Sequence, residues 1–357
     1  MTKAIEKHDA LEVGEPVGGK VFYFEWARCL AAAMVVLIHV TSGIMDNYSV
    51  AEVGTGRALV WSELQIVVMR WAVPIFLMIT GALLLNPEKQ IGWAKVWKYV
   101  KRMVYVLCTF GFAFCLMKEL FVYRALTLEM LWQAVLDLLS NDGFSHMWYI
   151  YALIGVYLLL PLFKSFVASH DKRELEILLL ILFTFTCVIP TINSVFGLNL
   201  ATFVWFSSSV FYVFMGYYAH NFMELNHRIL CVGLVALALN MGLKAWGIVG
   251  YGEYWKFLHG PGCFMEALWS ITVFLLMKRY LDRPYKARGG VATISRLSFG
   301  IYIIHPLFLN ILYKGLGWGP WMLPPVIFEL VIWAIAFMGS VAFVWLCKKI
   351  PWVRTFI

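Results

Sequence analysis

Ten apolar stretches, each long enough to cross a lipid bilayer, constrain this chain more than any other feature. They fall at 22–44, 62–85, 100–118, 147–167, 175–195, 201–220, 228–248, 262–281, 296–314 and 325–346. A helix needs roughly 20 mostly apolar residues to cross the hydrocarbon core. Only helices and closed barrels satisfy every backbone group there. The runs lack strict alternation and are about twice as long as a barrel strand. The expected fold is therefore all-α, a polytopic membrane bundle of about ten transmembrane helices. Composition agrees: 62% of residues are hydrophobic and 14% charged, against about 45–50% and about 25% in soluble domains. The expected organisation is a polar tail at 1–20, one membrane domain at 21–347 and a short tail at 348–357.

Lys and Arg residues assign the sides, because they accumulate in cytoplasmic connections. One side holds Lys89, Lys95, Lys98, Lys101 and Arg102 after the second span, and Lys278, Arg279, Arg283, Lys286, Arg288 and Arg296 after the eighth. With Lys164, Lys172, Arg173, Arg228 and both tails it collects 21 of the 29 Lys and Arg residues. The opposite connections hold Arg57, Lys118, Arg124, Lys244, Lys256 and Lys314. Both termini are thus expected in the cytoplasm, and the protein in the inner (cytoplasmic) membrane as a multi-pass chain. The net charge of +8 reads as this asymmetry, and no nucleic-acid partner is implied. Seven scattered cysteines without a CxxC pair read as small buried side chains. Between spans three and four, Leu128, Leu131, Trp132, Val135, Leu138 and Leu139 recur at helical spacing. That helix lies on the outer membrane surface or packs on the bundle.

Ionisable side chains inside a membrane are costly and usually face a cavity or a partner. Four stand out: Arg28, His39, Arg70 and His305. His39 follows Arg28 by eleven residues, roughly 16 Å along a helix and on nearly the same face. Nine residues separate Arg296 from His305, which brings His305 to a depth similar to His39. Ser298, Tyr302 and His305 share one face. Arg70 lies about two turns below the outer end of its span. Three spans can thus bring His39, Arg70 and His305 to one level. Singly, each has a plainer reading: an imidazole bonded to a carbonyl, a snorkelling Arg70, a topogenic Arg28. Two histidines without a third ligand do not make a zinc site, and no metal is expected. Glu266 is also in a span, but the sequence does not place it beside them. GxSxG, P-loop and HExxH patterns are absent. Intramembrane His and Arg equally suit a transporter or flippase for a lipid-linked glycan or small solute, although the halves show no repeat of hydropathy or Gly/Pro breaks.

These residues also carry a resemblance. Arg28-x10-His39, RWAVPIFLMITGALL (70–84), HMWYIYALIGVYLLLPL (146–162) and SFGIYIIHPL (298–307) resemble, in order, the motifs of the acyltransferase-3 family of integral membrane acyltransferases. Thr80-Gly81 stands where that family has Ser-Gly. Lys98, Lys101 and Arg102 stand where it often has R-x-x-R. The periplasmic hydrolase-like domain of some members has no counterpart in the sequence. The resemblance implies transfer of an acyl group, usually acetyl, from cytoplasmic acyl-CoA to a hydroxyl of a cell-surface glycan or lipid-linked sugar. The expected donor is acetyl-CoA, with Arg28, Lys98, Lys101 and Arg102 as its binding residues. His39 is the expected general base, or the nucleophile of an acyl-histidine intermediate. Arg70 or Tyr302 is expected to stabilise the oxyanion, and His305 to orient the acceptor or shuttle the proton.

Overall fold

The computed structural model describes residues 21–200, 207–283, 289–354 and 356; the expected tail at 1–20 lies outside the described residues. Among those residues the structure is helical, without a strand. In chain order the helices are α1 (Phe22–Asn47), α2 (Thr55–Leu84), α3 (Trp93–Leu120), α4 (Leu128–Ser140), α5 (Trp148–Ser169), α6 (Lys172–Phe196), α7 (Ser208–Phe222), α8 (His227–Tyr251), α9 (Phe264–Leu281), α10 (Gly290–Gly315) and α11 (Pro325–Cys347). Each expected span overlaps one of these helices, and residues 201–206 of the sixth lie outside the described residues. Among the described residues eight are long and apolar enough to cross a membrane. Of the three others, α4 has 13 residues, α7 has 15 described residues, and α9 carries Glu266, Lys278 and Arg279 within its 18. The chain is a multi-pass, all-α membrane protein.

Contacts divide it into two compact units. One comprises residues 1–86 and 170–346; the other comprises 87–169 and 347–357. In the first, α1 packs against α10, α2 and α9. Ala27, Ala31 and Ala32 are buried on it, and such small side chains let neighbouring helices approach where water supplies no hydrophobic drive. α2 and α7 approach backbone to backbone. A Cβ added at Gly81 would sit 1.7 Å from the Val213 carbonyl oxygen, and one at Gly216 would sit 2.0 Å from that of Met78. Helix ends are satisfied by charges: Asp282 Oδ1 accepts from the Phe22 amide at 2.9 Å, and Lys278 Nζ donates to the His220 and Met223 carbonyls at 3.0 and 2.8 Å.

In the second unit α3 packs along α5, and its C-terminal part packs on α4. Thr127 caps α4 by accepting from the Met130 amide. Met130, Ala134 and Asp137 form the buried face of α4, whereas Leu128, Trp132 and Leu139 are exposed. The helix thus packs on its unit and leaves an apolar face exposed. Lys118 Nζ donates to Asp137 Oδ2 at 2.8 Å and to the Asp142 carbonyl at 3.0 Å. Burial pushes the Asp137 carboxyl up, but bonds from Lys118 and Gln133 outweigh it and hold it below its ordinary value of 3.8. A depressed native value means stability that is present above pH ~4 and lost as pH falls through the native value. Lys118→Met, which strands that buried carboxylate, is expected to lower stability by about 1–3 kcal/mol and to flatten the acid limb of a melting-temperature profile in detergent.

Candidate active site

The first unit brings together three of the singled-out side chains from α1, α2 and α10. The imidazole centroids of His39 and His305 are 4.9 Å apart. His305 is fully buried and Tyr302 is 4% exposed, whereas His39 is only partly buried. The orientation of His305 has a local cause. Pro306 has no N–H to return to the Tyr302 carbonyl, and the His305 ring lies beside the Ile301 and Tyr302 carbonyls. Its Nδ1 is 3.2 Å from the Ile301 oxygen. A carbonyl can only accept, so Nδ1 carries the proton and the lone pair of the neutral ring is on Nε2.

Arg70 is set by a π-helical turn over Gln65–Met69. The Arg70 amide donates to the Gln65 carbonyl at 3.0 Å, and its Nε and Nη2 donate to Gln65 Oε1 at 3.1 and 2.6 Å. Nη2 also donates to Ser42 Oγ at 3.3 Å. The wide turn brings residues five apart onto one face, as π turns at functional sites often do. Pro74 cannot donate to the Arg70 carbonyl, which loosens the helix there. Ser42 follows His39 by three residues, so Arg70 is docked on the same face of α1, one turn beyond the imidazole. Two faces of the guanidinium are committed; Nη1 makes no bond among the described residues.

Sequence reasoning missed the groups that hold α1 in place. Thr41 Oγ1 donates to Glu329 Oε1 at 2.8 Å, and Glu329 is 2% exposed. Trp333 Nε1 donates to the Ala33 carbonyl at 2.9 Å, and the Tyr313 hydroxyl to that of Val40 at 3.1 Å. Thr80, the motif's hydroxyl residue, donates to the Phe76 carbonyl at 2.8 Å and so serves its own helix.

A model of the acyltransferase domain matches residues 21–349, nearly the whole chain. The chain belongs to the acyltransferase-3 family. Searches of curated proteins and of solved structures returned no match. As an acyltransferase-3 member the protein is a membrane acyltransferase, acting on an acyl donor and an acceptor within a bilayer; transport is not favoured. Arg28 is on α1, eleven residues and so roughly 16 Å from His39, and is not part of the histidine cluster. Lys98, Lys101 and Arg102 lie on α3, in the second unit. Lys98 and Lys101 are exposed. Arg102 Nε donates to the Phe356 carbonyl at 2.9 Å, which ties the C-terminal segment to α3. Of the family's other motif, His146 is buried edge-on to Phe114, with ring centroids 5.4 Å apart. Among the described residues no three His, Cys, Asp or Glu side chains are grouped as metal ligands.

Proposed function

We propose that this acyltransferase moves an acetyl group from acetyl-CoA to a hydroxyl of an extracytoplasmic or lipid-linked envelope sugar, with His39 as general base. The observation that carries the reading is the contrast within the imidazole pair. His305 is sealed and bonded to its own helix, whereas His39 is only partly buried and lies one turn from Ser42, on which Arg70 is docked. In the proposed reaction the acceptor hydroxyl gives its proton to His39 as its oxygen attacks the thioester carbonyl. The carbon–sulfur bond then breaks, and the departing thiolate takes that proton back. An ester and a free thiol result. An imidazole suits the task because it exchanges protons near neutral pH. Arg70 Nη1 is the proposed donor to the oxyanion; His305 and Tyr302 position His39. Lys98, Lys101 and Arg102 are the proposed contacts for the anionic head of the donor.

GPGCFMEALWSITVFLL (260–276) resembles the corresponding region of the O-acetyltransferase of enterobacterial common antigen, a likeness that supports acetyl as the proposed group and an envelope sugar as the proposed acceptor. The test compares surface glycans, by mass spectrometry, from cells with and without the gene. O-acetyl esters confined to the expressing cells are expected, together with saturable, salt-sensitive acetyl-CoA binding weakened by Lys101→Ala. Identical glycans in the two cell lines would overturn the reading.

A further inference from the structure

The chemistry above leaves unused a second group of polar side chains in the first unit. Asn240 and Lys244 are four residues apart on α8, and Glu266 and Ser270 four apart on α9, so each pair shares a helix face. All are sealed: Asn240, Lys244 and Glu266 are each 1% exposed and Ser270 0%. α8 packs along α9, and also on the Thr55–Leu64 part of α2, which carries Trp61 and Glu63, and on the π turn that Arg70 follows. Trp269 Nε1 donates to the Val67 carbonyl at 3.4 Å, joining α9 to that same turn. Lys244 Nζ, both carboxylate oxygens of Glu266 and of Glu63, Asn240 Oδ1, Ser270 Oγ and Trp61 Nε1 have no hydrogen-bond partner among the described residues. Lys244, Glu266 and Arg70 nevertheless feel one another electrostatically.

Buried polar atoms are almost always bonded, and leaving one unmade is costly. So many on facing helices fit a site that a polar ligand completes. The group offers donors (Lys244, Trp61, Ser270) and acceptors (Glu63, Glu266, Asn240). Its formal charges, Lys244 and Arg70 against Glu63 and Glu266, cancel, so it gives an anion no net attraction. A sugar hydroxyl both donates and accepts, and a neutral ring bearing several of them matches the set. Just beyond Lys244, Trp246, Tyr251 and Trp255 cluster with centroids 5.6–5.9 Å apart. Trp246 and Tyr251 are 55% and 61% exposed, as aromatic side chains are at a membrane–water boundary. We propose that Glu63, Asn240, Lys244, Glu266 and Ser270 form a binding subsite for an uncharged, polyhydroxylated sugar ring, adjoining Arg70. It rests on the acyl-acceptor reading in taking that ring to be the acceptor's.

The test is saturation-transfer NMR on the full-length protein in detergent, which needs no acyl transfer. The probes are methyl glycosides of glucose, galactose, mannose and N-acetylglucosamine, with methyl glucuronide as the anionic comparison. At least one neutral glycoside is expected to bind, more tightly than the glucuronide, and to bind about tenfold more weakly to Lys244→Met/Glu266→Gln. That double variant strands no buried charge; Ser270→Ala, the milder change, is expected to weaken binding in the same direction. No binding by any neutral glycoside, equal binding by the folded double variant, or preference for the glucuronide would overturn the subsite. Glycoside binding in a protein that forms no acetyl ester would leave the subsite standing and remove the acyl-transfer reading instead.

Discussion

His39→Ala, expressed at wild-type abundance, is expected to transfer acetyl groups about 10²–10⁴-fold more slowly, the usual contribution of a positioned general base. The change removes the partly buried imidazole of the pair and leaves the fully buried one. In the proposed reaction a neutral His39 is required when the hydroxyl attacks. Wild-type kcat/KM is therefore expected to fall on the acid side as imidazole protonates, and the residual activity of the variant to lose that limb. Acetyl-CoA binding is expected to be retained, since other residues are assigned to the donor. A variant that acetylates at the wild-type rate would exclude both base and acyl-histidine roles for His39. Its rival mechanism differs kinetically: a covalent acyl-histidine gives ping-pong kinetics, whereas direct transfer requires donor and acceptor together. His305→Gln is expected to cost less, about tenfold for one neutral hydrogen bond and its positioning, and to preserve the acid limb.

That pair was legible before any coordinates, because the argument needed only rise per residue and the direction of each span. His39 and His305 both lie on helices expected to run outward, so counting residues from the inner ends brought them to one level. Arg70 was legible in depth but not in aim. An ordinary helix does not set Gln65 behind Arg70; a π turn does, and its sequence sign is no more than a proline four residues on. Lys244 was misplaced. Counted by charge with an outer connection, it is buried inside α8 at 1% exposure, facing acids that arrive from α2 and α9. Glu266 was visible as a membrane acid, but its neighbours depend on which helices pack together, and periodicity is silent on that. Glu329 sat unnoticed in a stretch that hydropathy reads only as a span. The cations on α3 follow from topology as readily as from donor binding, so their charge alone could not separate the two.

Gly81→Ala is expected to be among the most damaging single substitutions in the chain, although it adds one methyl group to a helix and removes a poor helix former. The reason is where the methyl would go. Its carbon would sit 1.7 Å from the Val213 oxygen and 2.6 Å from the Val213 carbonyl carbon, and both are backbone atoms that no rotamer change can move. On the facing helix Gly216 meets Met78 backbone atoms in the same manner, at 2.0–2.5 Å. Carbon–carbon contacts are comfortable at about 3.5–4.0 Å, so α2 and α7 must separate along their length. Between membrane helices that contact is the main attraction, because lipid is as apolar as leucine. A cost above the usual 1–3 kcal/mol of overpacking is expected, on the order of 3 kcal/mol or more. Gly155→Ala and Gly242→Ala supply the control. Both glycines are in helices with nothing within 4 Å of the added carbon, and both changes should be silent or stabilising by up to about 1 kcal/mol. The measurement is the amount and melting temperature of detergent-solubilised protein by fluorescence-detected size exclusion. Arg70 is on the same helix, eleven residues before Gly81. Any Gly81→Ala protein that survives should therefore lose acyl transfer beyond its loss in abundance, because the helix that aims the guanidinium has shifted. Wild-type abundance, melting temperature and activity in Gly81→Ala would mean that α2 and α7 do not meet backbone to backbone, and the placement of Arg70 beside α1 would fall with that contact.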